Sequence, residues 1–145
     1  MFVLDTNVVS ELRKVKSGKA DKNVSAWSAR VATATLYLSV VTILELETGV
    51  LLLERRNPVA AAVLREWLDG YVLPAFAGRV LVLDEAVAKR CAALHVPNVR
   101  AERDAIIAAT ALVHRMTVVT RNVADFQPTG VAIVNPWDVL EVKRT

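Results

Sequence analysis

The chain has 145 residues, 54% of them hydrophobic, and 18 Lys and Arg stand against 15 Asp and Glu for a net charge of +3. That length sets one domain over residues 1–145, large enough to bury about 68–70% of its unfolded surface, and the apolar fraction points to an unusually complete core or to apolar surface kept for a partner. The composition reads against a membrane span, since the longest uncharged run, Val31 to Leu44, has 14 residues where a transmembrane helix needs roughly 20.

Charge at Asp5 comes too early for the apolar core of a secretory leader, so the chain reads as cytoplasmic. The single Cys91 agrees, because a disulfide framework needs pairs; within AVAKRCAAL it reads as a small buried apolar residue.

Phe2–Leu4 is an apolar run of strand length, and Asp5 closes it. Arg13, Lys14, Lys16, Lys19 and Lys22 then follow with one acid, Asp21, in a Gly- and Ser-containing stretch that reads as a loop. It is either an ordinary solvated loop or a basic one set to hold phosphates. Val24, Trp27 and Val31 mark one face of a second helix, and Leu36–Val41 reads as the second strand. Glu45 opens the next helix, after which Leu51, Leu52 and Leu53 look exposed. Asn57 and Pro58 are an N-cap and first helical position for a helix through Val63, Leu64, Trp67 and Leu68.

Val80–Leu83 reads as the third strand, and Asp84 as the N-cap of EAVAKRCAAL. From Asp104 to His114 the pattern is apolar almost all round, the mark of a helix buried on several sides. Thr117–Thr120 and Val131–Val134 are the remaining strands, while Val96–Asn98 and Gln127–Gly130 read as loops. Strands alternating with helices, without a hairpin until the end, predict an α/β fold: a mainly parallel sheet covered by helices on both faces.

Three acids stand out against this frame. Asp5, Glu45 and Asp104 are each embedded in oily sequence, MFVLDTN, VVTILELETG and RDAIIAATALV, so each carboxylate belongs at the rim of a core where charge is costly unless compensated. In open parallel sheets ligands bind beyond the carboxyl ends of the strands. Asp5 lies past strand one, Glu45 past strand two, and Asn122 and Asp125 past strand four. Whether Asp104 reaches the same rim depends on which edge its helix starts from, and the sequence leaves that open. Converging carboxylates need a cation, and oxygen ligands with no Cys or His partner point to Mg²⁺ or Mn²⁺.

Each acid also has a purely local reading. Thr42-x-x-Glu45 fits a capping box, Asp104 in a first helical turn suits the macrodipole, and Asp5 fits an N-cap for Asn7–Lys14.

The segments V-L-D-T-N-V-V-S-E-L, T-I-L-E-L-E-T-G-V, D-A-I-I-A-A-T-A-L followed by H-R-M-T-V-V-T-R-N-V-A-D-F, and V-N-P-W together resemble the PIN-domain toxins of VapBC toxin–antitoxin pairs, and the V-N-P-W ending resembles the FitB-type branch most. The resemblance runs in consistent order from Phe2 to Trp137. It implies a single PIN domain with a five-stranded parallel sheet and a metal-dependent endoribonuclease using one or two Mg²⁺ or Mn²⁺ ions. The family's acids correspond to Asp5, Glu45 and Asp104, its fourth position to Asn122, and its site-lining hydroxyls to Thr6 and Thr120. Some relatives carry Asp at the position of Asn122, so the second metal position is weaker here unless Asp125 supplies the carboxylate. The resemblance also implies a homodimer, an antitoxin similar to VapB bound across an apolar groove, and higher-order complexes with it.

Arg13, Lys14, Lys16, Lys19 and Arg121 are the candidates for contact with RNA phosphates. Neither His95 nor His114 lies near a motif, which disfavours a histidine general base. Two rivals differ in class: a noncatalytic RNA-binding module on a degenerate PIN fold, which needs only the basic loop, and a purely structural interaction domain, which binds no divalent metal. A phosphoaspartyl enzyme of the haloacid-dehalogenase type wants a second Asp two residues after the first, where Asn7 stands.

Overall fold

The computed structural model describes residues 1–138; the last part of the expected 1–145 domain lies outside the described residues. Five strands, β1 (Phe2–Leu4), β2 (Leu36–Ser39), β3 (Val80–Leu81), β4 (Thr117–Val119) and β5 (Ile133–Val134), form one sheet in the order β3-β2-β1-β4-β5. Every pairing is parallel, including β4 with β5. The hairpin that the sequence left room for at the end is replaced by a short crossover through Val123–Phe126 and a 3₁₀ turn at Gln127–Thr129, closed by Gly130 at φ 77°.

The helices that follow are α1 (Thr6–Leu12), α2 (Lys22–Arg30), α3 (Val40–Arg56), α4 (Pro58–Trp67), α5 (Leu73–Ala75), α6 (Glu85–Leu94), α7 (Glu102–His114) and α8 (Val123–Phe126). Most caps fall where the sequence places them. Asn57 accepts from the Ala60 N–H and Asp84 from the Val87 N–H, each tying down a first turn. Strands three, four and five are shorter than read, ending at Leu81, ending at Val119 and starting at Ile133, while α7 starts two residues before Asp104 and α1 runs Thr6–Leu12 rather than Asn7–Lys14. Two further boundaries change the kind of element. Val40 and Val41, read as the end of strand two, are helical because the Ser39 hydroxyl caps the Val41 N–H at 3.1 Å. Lys22, read as part of the basic loop, is the first residue of α2, held by the Asp21 carboxylate, which accepts from the Asn23 and Val24 N–H groups.

Strand alternation divides the core between two faces. Leu4, Leu36, Leu38 and Val119 point to one, where Val8, Val9, Trp27, Leu46 and Val50 from α1, α2 and α3 close over them. Val3 and Val118 point to the other and meet Ile107, Ala108 and Ala111 of α7 together with Phe126. The small side chains of α7 let it lie between the sheet and α6, where Ala105 and Ala109 touch Val87 and Cys91. Leu51 and Leu52 are exposed as expected, whereas Leu53 turns partly inward.

The direction of α7 settles where Asp104 stands. The helix ends at His114, Arg115 turns the chain in a left-handed conformation, and β4 begins at once, with the Thr117 N–H donating to the Met1 carbonyl. That end therefore lies at the strand starts. A helix of 13 residues is about 20 Å long, so its first turn stands at the opposite, carboxyl edge.

Candidate metal centre

Asp5 leaves β1 at the carboxyl edge, its own N–H donating to the Val119 carbonyl at 2.9 Å as a continuation of the sheet. It is only 5% exposed. Its Oδ1 accepts from the Thr6 N–H at 2.8 Å, which makes it the cap of α1. Its Oδ2 accepts from the Thr120 hydroxyl at 2.8 Å and the Asn7 amide at 3.3 Å. The cap reading and the rim reading of Asp5 are thus both true, one oxygen serving each. Thr120 in turn accepts from the Asn122 N–H at 3.0 Å, so the turn after β4 is braced through the same hydroxyl.

Glu45 stands in the second turn of α3 rather than at its start. The capping-box reading fails: Ser39 is the cap, and Thr42 lies buried inside the helix. Glu45 Oε1 accepts from the Thr6 hydroxyl at 3.0 Å, and the Thr6 hydroxyl lies 3.3 Å from that of Thr42. Glu45 Oε2 faces Arg103 at 3.7 Å. Asp104 sits in the first turn of α7 and opens on a pocket of about 230 Å³ whose walls include Arg100, Ala101, Asp125, Pro128 and Thr129.

These acids feel one another. Burial pushes the Asp104 carboxyl up to about 6, and the charges of Asp5, Asp125 and Glu45 add to it. Burial also raises Asp5, against the lowering effect of the Thr120 and Thr6 hydrogen bonds, with Glu45 and Asp125 raising it further. Asp104 does stand in the first turn that the macrodipole reading requires, while burial and the neighbouring acids oppose its charged form there. The carboxylates are coupled without being packed together: among the described residues, no three of these acids bring an oxygen each within 4.8 Å of one another. The donor set is all oxygen, with Arg103 beside Glu45 as a neighbouring positive charge; its chemistry suits a hard divalent cation, which Asp5, Glu45 and Asp104 could hold once their oxygens draw together.

At the fourth position the two candidates part. Both side chains are exposed, and Asn122 makes no capping bond at α8; they differ in charge, and that of Asp125 bears on both Asp5 and Asp104. Sequence reasoning missed Asn7 and Arg103 as neighbours of the acids. Asn7 and Arg103 adjoin motif residues in sequence, but their contacts depend on how β1, β4, α3 and α7 meet.

The basic candidates are spread out. The Arg13 guanidinium lies 5.7 Å from the Trp67 ring centre and the Lys16 ammonium 5.4 Å from that of Tyr71. Lys14 pairs with Glu11 at 3.2 Å, and Lys19 is exposed. Arg121, just past β4, lies over the Trp137 ring at 5.3 Å. His114 is exposed at the far end of α7.

Comparison with known proteins places the chain by family and fold. The PIN domain pattern matches residues 2–127. A VapC ribonuclease of Sinorhizobium fredii is 39% identical over 95% of this chain and 99% of its own length. The toxin FitB of Neisseria gonorrhoeae is 40% identical over 94% of this chain and 99% of its own. Among solved structures, the FitAcB crystal structure from Neisseria gonorrhoeae superposes with a TM-score of 0.84 at 39% identity, covering 96% of this chain and 100% of that one. A FitAB structure bound to a DNA fragment gives 0.85 at 38% identity, covering 98% and 99%.

Proposed function

The chain belongs to the PIN domain family, in the group that holds the VapC and FitB toxins, and from that premise we propose that it is a metal-dependent endoribonuclease, the toxin of a type II toxin–antitoxin pair. The observation that carries the reading is the gathering of Asp5, Glu45, Asp104 and Asp125, from four separate segments, at one sheet edge, where burial and the neighbouring acids hold the Asp5 and Asp104 carboxyls above their ordinary range.

Mg²⁺ or Mn²⁺, one ion or two, supplies when bound a water of lowered pKa and polarisation of the phosphate. Asp5, Glu45 and Asp104 hold it, and Asp125 adds negative charge where Asn122 offers only an amide. Thr120 and Thr6 aim the Asp5 and Glu45 carboxylates through their hydroxyl bonds. Such aiming matters because misplacement by about 1 Å can cost on the order of 100-fold in rate. Arg121 and the basic stretch of Arg13, Lys14, Lys16 and Lys19 contribute the positive field that draws an RNA backbone. A noncatalytic RNA-binding module would rest on that stretch alone, and Arg13 and Lys16 are already engaged over Trp67 and Tyr71.

Among the described residues no helix is long and apolar enough to cross a membrane, and we place the toxin in the cytoplasm as one PIN domain. Its partners are a second copy of itself and a cognate antitoxin similar to VapB, in assemblies of higher order. The solved neighbours include toxin–antitoxin complexes, and here Leu51, Leu52, Val63 and Tyr71 are exposed apolar side chains on and beside α3 and α4.

Cleavage of a defined RNA panel tests the activity. Wild type cuts with Mg²⁺ or Mn²⁺, poorly with Ca²⁺, whose looser shell positions water badly, and reversibly not at all in EDTA. Asp5→Asn, which still caps α1, is folded and inactive. Undiminished cleavage in chelator, or by Asp5→Asn, overturns the reading.

A further inference from the structure

Away from the acidic rim, three side chains with chemistry of their own meet where α6 hands over to α7. Cys91 and His95 are four residues apart at the end of α6 and share a face; Glu102 opens α7. The Cys91 Sγ lies 3.9 Å from His95 Nε2, and Glu102 Oε2 lies 3.3 Å from the same nitrogen. Thiol, imidazole and carboxylate within 4.8 Å of one another are donors that zinc accepts.

The other ring nitrogen decides against a metal in this arrangement. The Arg100 backbone N–H donates to His95 Nδ1 at 3.0 Å, so Nδ1 is bare and, in the neutral ring, Nε2 carries the proton. A metal on Nε2 requires the reverse tautomer, whose Nδ1–H would face another N–H. The ring is instead a two-ended clasp, donating from Nε2 toward Glu102 and accepting at Nδ1 from Arg100. The Arg100 side chain adds a third tie, its Nε donating to the Leu94 carbonyl at 2.8 Å.

What the clasp holds is the start of α7. The residue before that helix is Ala101, which offers no side-chain cap, so its first turn lacks the local device that fixes α1, α2, α3, α4 and α6. Asp104 belongs to that unsecured turn, and Arg100 and Ala101 wall the pocket onto which it opens. We propose that His95 is a positioning residue for the acidic site: by tying Glu102 and the Arg100 backbone together it sets the first turn of α7, and with it the place of the Asp104 carboxylate. This rests on the reading of the rim as a metal-dependent nuclease site.

Three substitutions separate the two ends of the ring. Asn carries an oxygen near the place of Nδ1 and keeps the acceptor for Arg100, Gln carries an amide near the place of Nε2 and keeps the donor for Glu102, and Ala keeps neither. For His95→Ala we expect a kcat loss on the order of 10- to 100-fold and weaker Mn²⁺ binding by titration calorimetry, with KM for RNA unchanged. His95→Asn and His95→Gln each recover part of both quantities. Should His95→Ala fail to fold, Glu102→Ala removes the other half of the clasp at an exposed side chain and is expected to show the same split. Wild-type kcat and Mn²⁺ affinity in the folded variants overturn the proposal. So does stoichiometric zinc binding by the wild type that both Cys91→Ser and His95→Ala abolish, which would make the cluster a metal site. If the wild type cuts no RNA the nuclease reading falls by itself, and the Mn²⁺ isotherms still decide the positioning claim.

Discussion

Thr120 donates its hydroxyl to Oδ2 of Asp5 at 2.8 Å although 115 positions separate the two residues. The bond lies in the interior, where an ionised carboxylate without donors is costly, and it opposes the upward push of burial on Asp5. Thr120→Val keeps the shape and removes the donor. Asp5 then rises further and binds metal less readily; cleavage at fixed, subsaturating Mg²⁺ falls on the order of tenfold, and stability by about 1–3 kcal/mol. Thr120→Ser retains both. Thermal melts and rates across a Mg²⁺ series check this, and equal rates for Val and Ser would show that the hydroxyl has no part in the site.

Asp104 makes the metal-free protein sensitive to pH. Its carboxyl is raised from an ordinary value of 3.8 to about 6, so the unfolded chain gives up this proton first. Below about pH 4 both states keep it and the group is neutral in its effect. Between 4 and 6 ionisation favours unfolding, and above 6 the whole penalty is present. Melting in chelator is expected to drop across that window in wild type by more than in Asp104→Asn. The difference at pH 7 amounts to about 1–2 kcal/mol, smaller than the full shift implies because the group is partly open to solvent. Parallel curves for the two proteins would remove Asp104 from the coupled cluster. Metal binding carries the opposite slope, weakening as pH falls below about 6, since the ion needs the ionised acid.

Asp125 and Asn122 can be told apart by charge alone. Asn122→Asp adds a carboxylate beside the rim and is expected to keep or raise activity at low metal, whereas Asp125→Asn raises the Mg²⁺ needed for half-maximal rate by a few-fold. Metal titrations of the two variants measure this. A silent Asp125→Asn would leave the site resting on three carboxylates.

The exposed leucines of α3 bear on assembly. Purified alone at micromolar concentration the chain is expected to scatter light as a dimer, and with its antitoxin to form a tight complex whose nuclease activity is suppressed. An antitoxin basic side chain entering the acidic pocket would compete with metal there without unfolding the toxin. A monomer in light scattering would sink the first claim; full activity in the purified complex would sink the second.

How much of this was legible in one dimension follows from what each feature depends on. An acid placed straight after Phe2–Leu4 or within RDAIIAATALV contradicts its oily surroundings, and that contradiction is visible without a structure. Helix caps such as Asn57 and Asp84 are equally local. Val40 and Val41 misled because β-branched residues read as strand, while the hydroxyl of Ser39 decides for helix. The partnerships of Thr120 with Asp5, Thr6 with Glu45 and Arg103 with Glu45 require the strand order and the place of α3 and α7, which spacing does not carry. The basic stretch left two readings open, and the aromatic partners of Arg13 and Lys16, Trp67 and Tyr71, lie far along the chain, where spacing does not show them.

The central place of β1 sets a schedule for synthesis. Its neighbour β4 pairs Phe2 with Thr117, so the strand that carries Asp5 has an open edge until nearly all of the described chain has been made. Before then Asp5 lacks the Val119 carbonyl that receives its N–H and the Thr120 hydroxyl that steadies its carboxylate. A growing chain stalled after α7 already contains Asp5, Glu45 and Asp104 but lacks the β4 side of the edge at which they stand. On the nuclease reading, a ribosome has passed Thr120 before the blade exists.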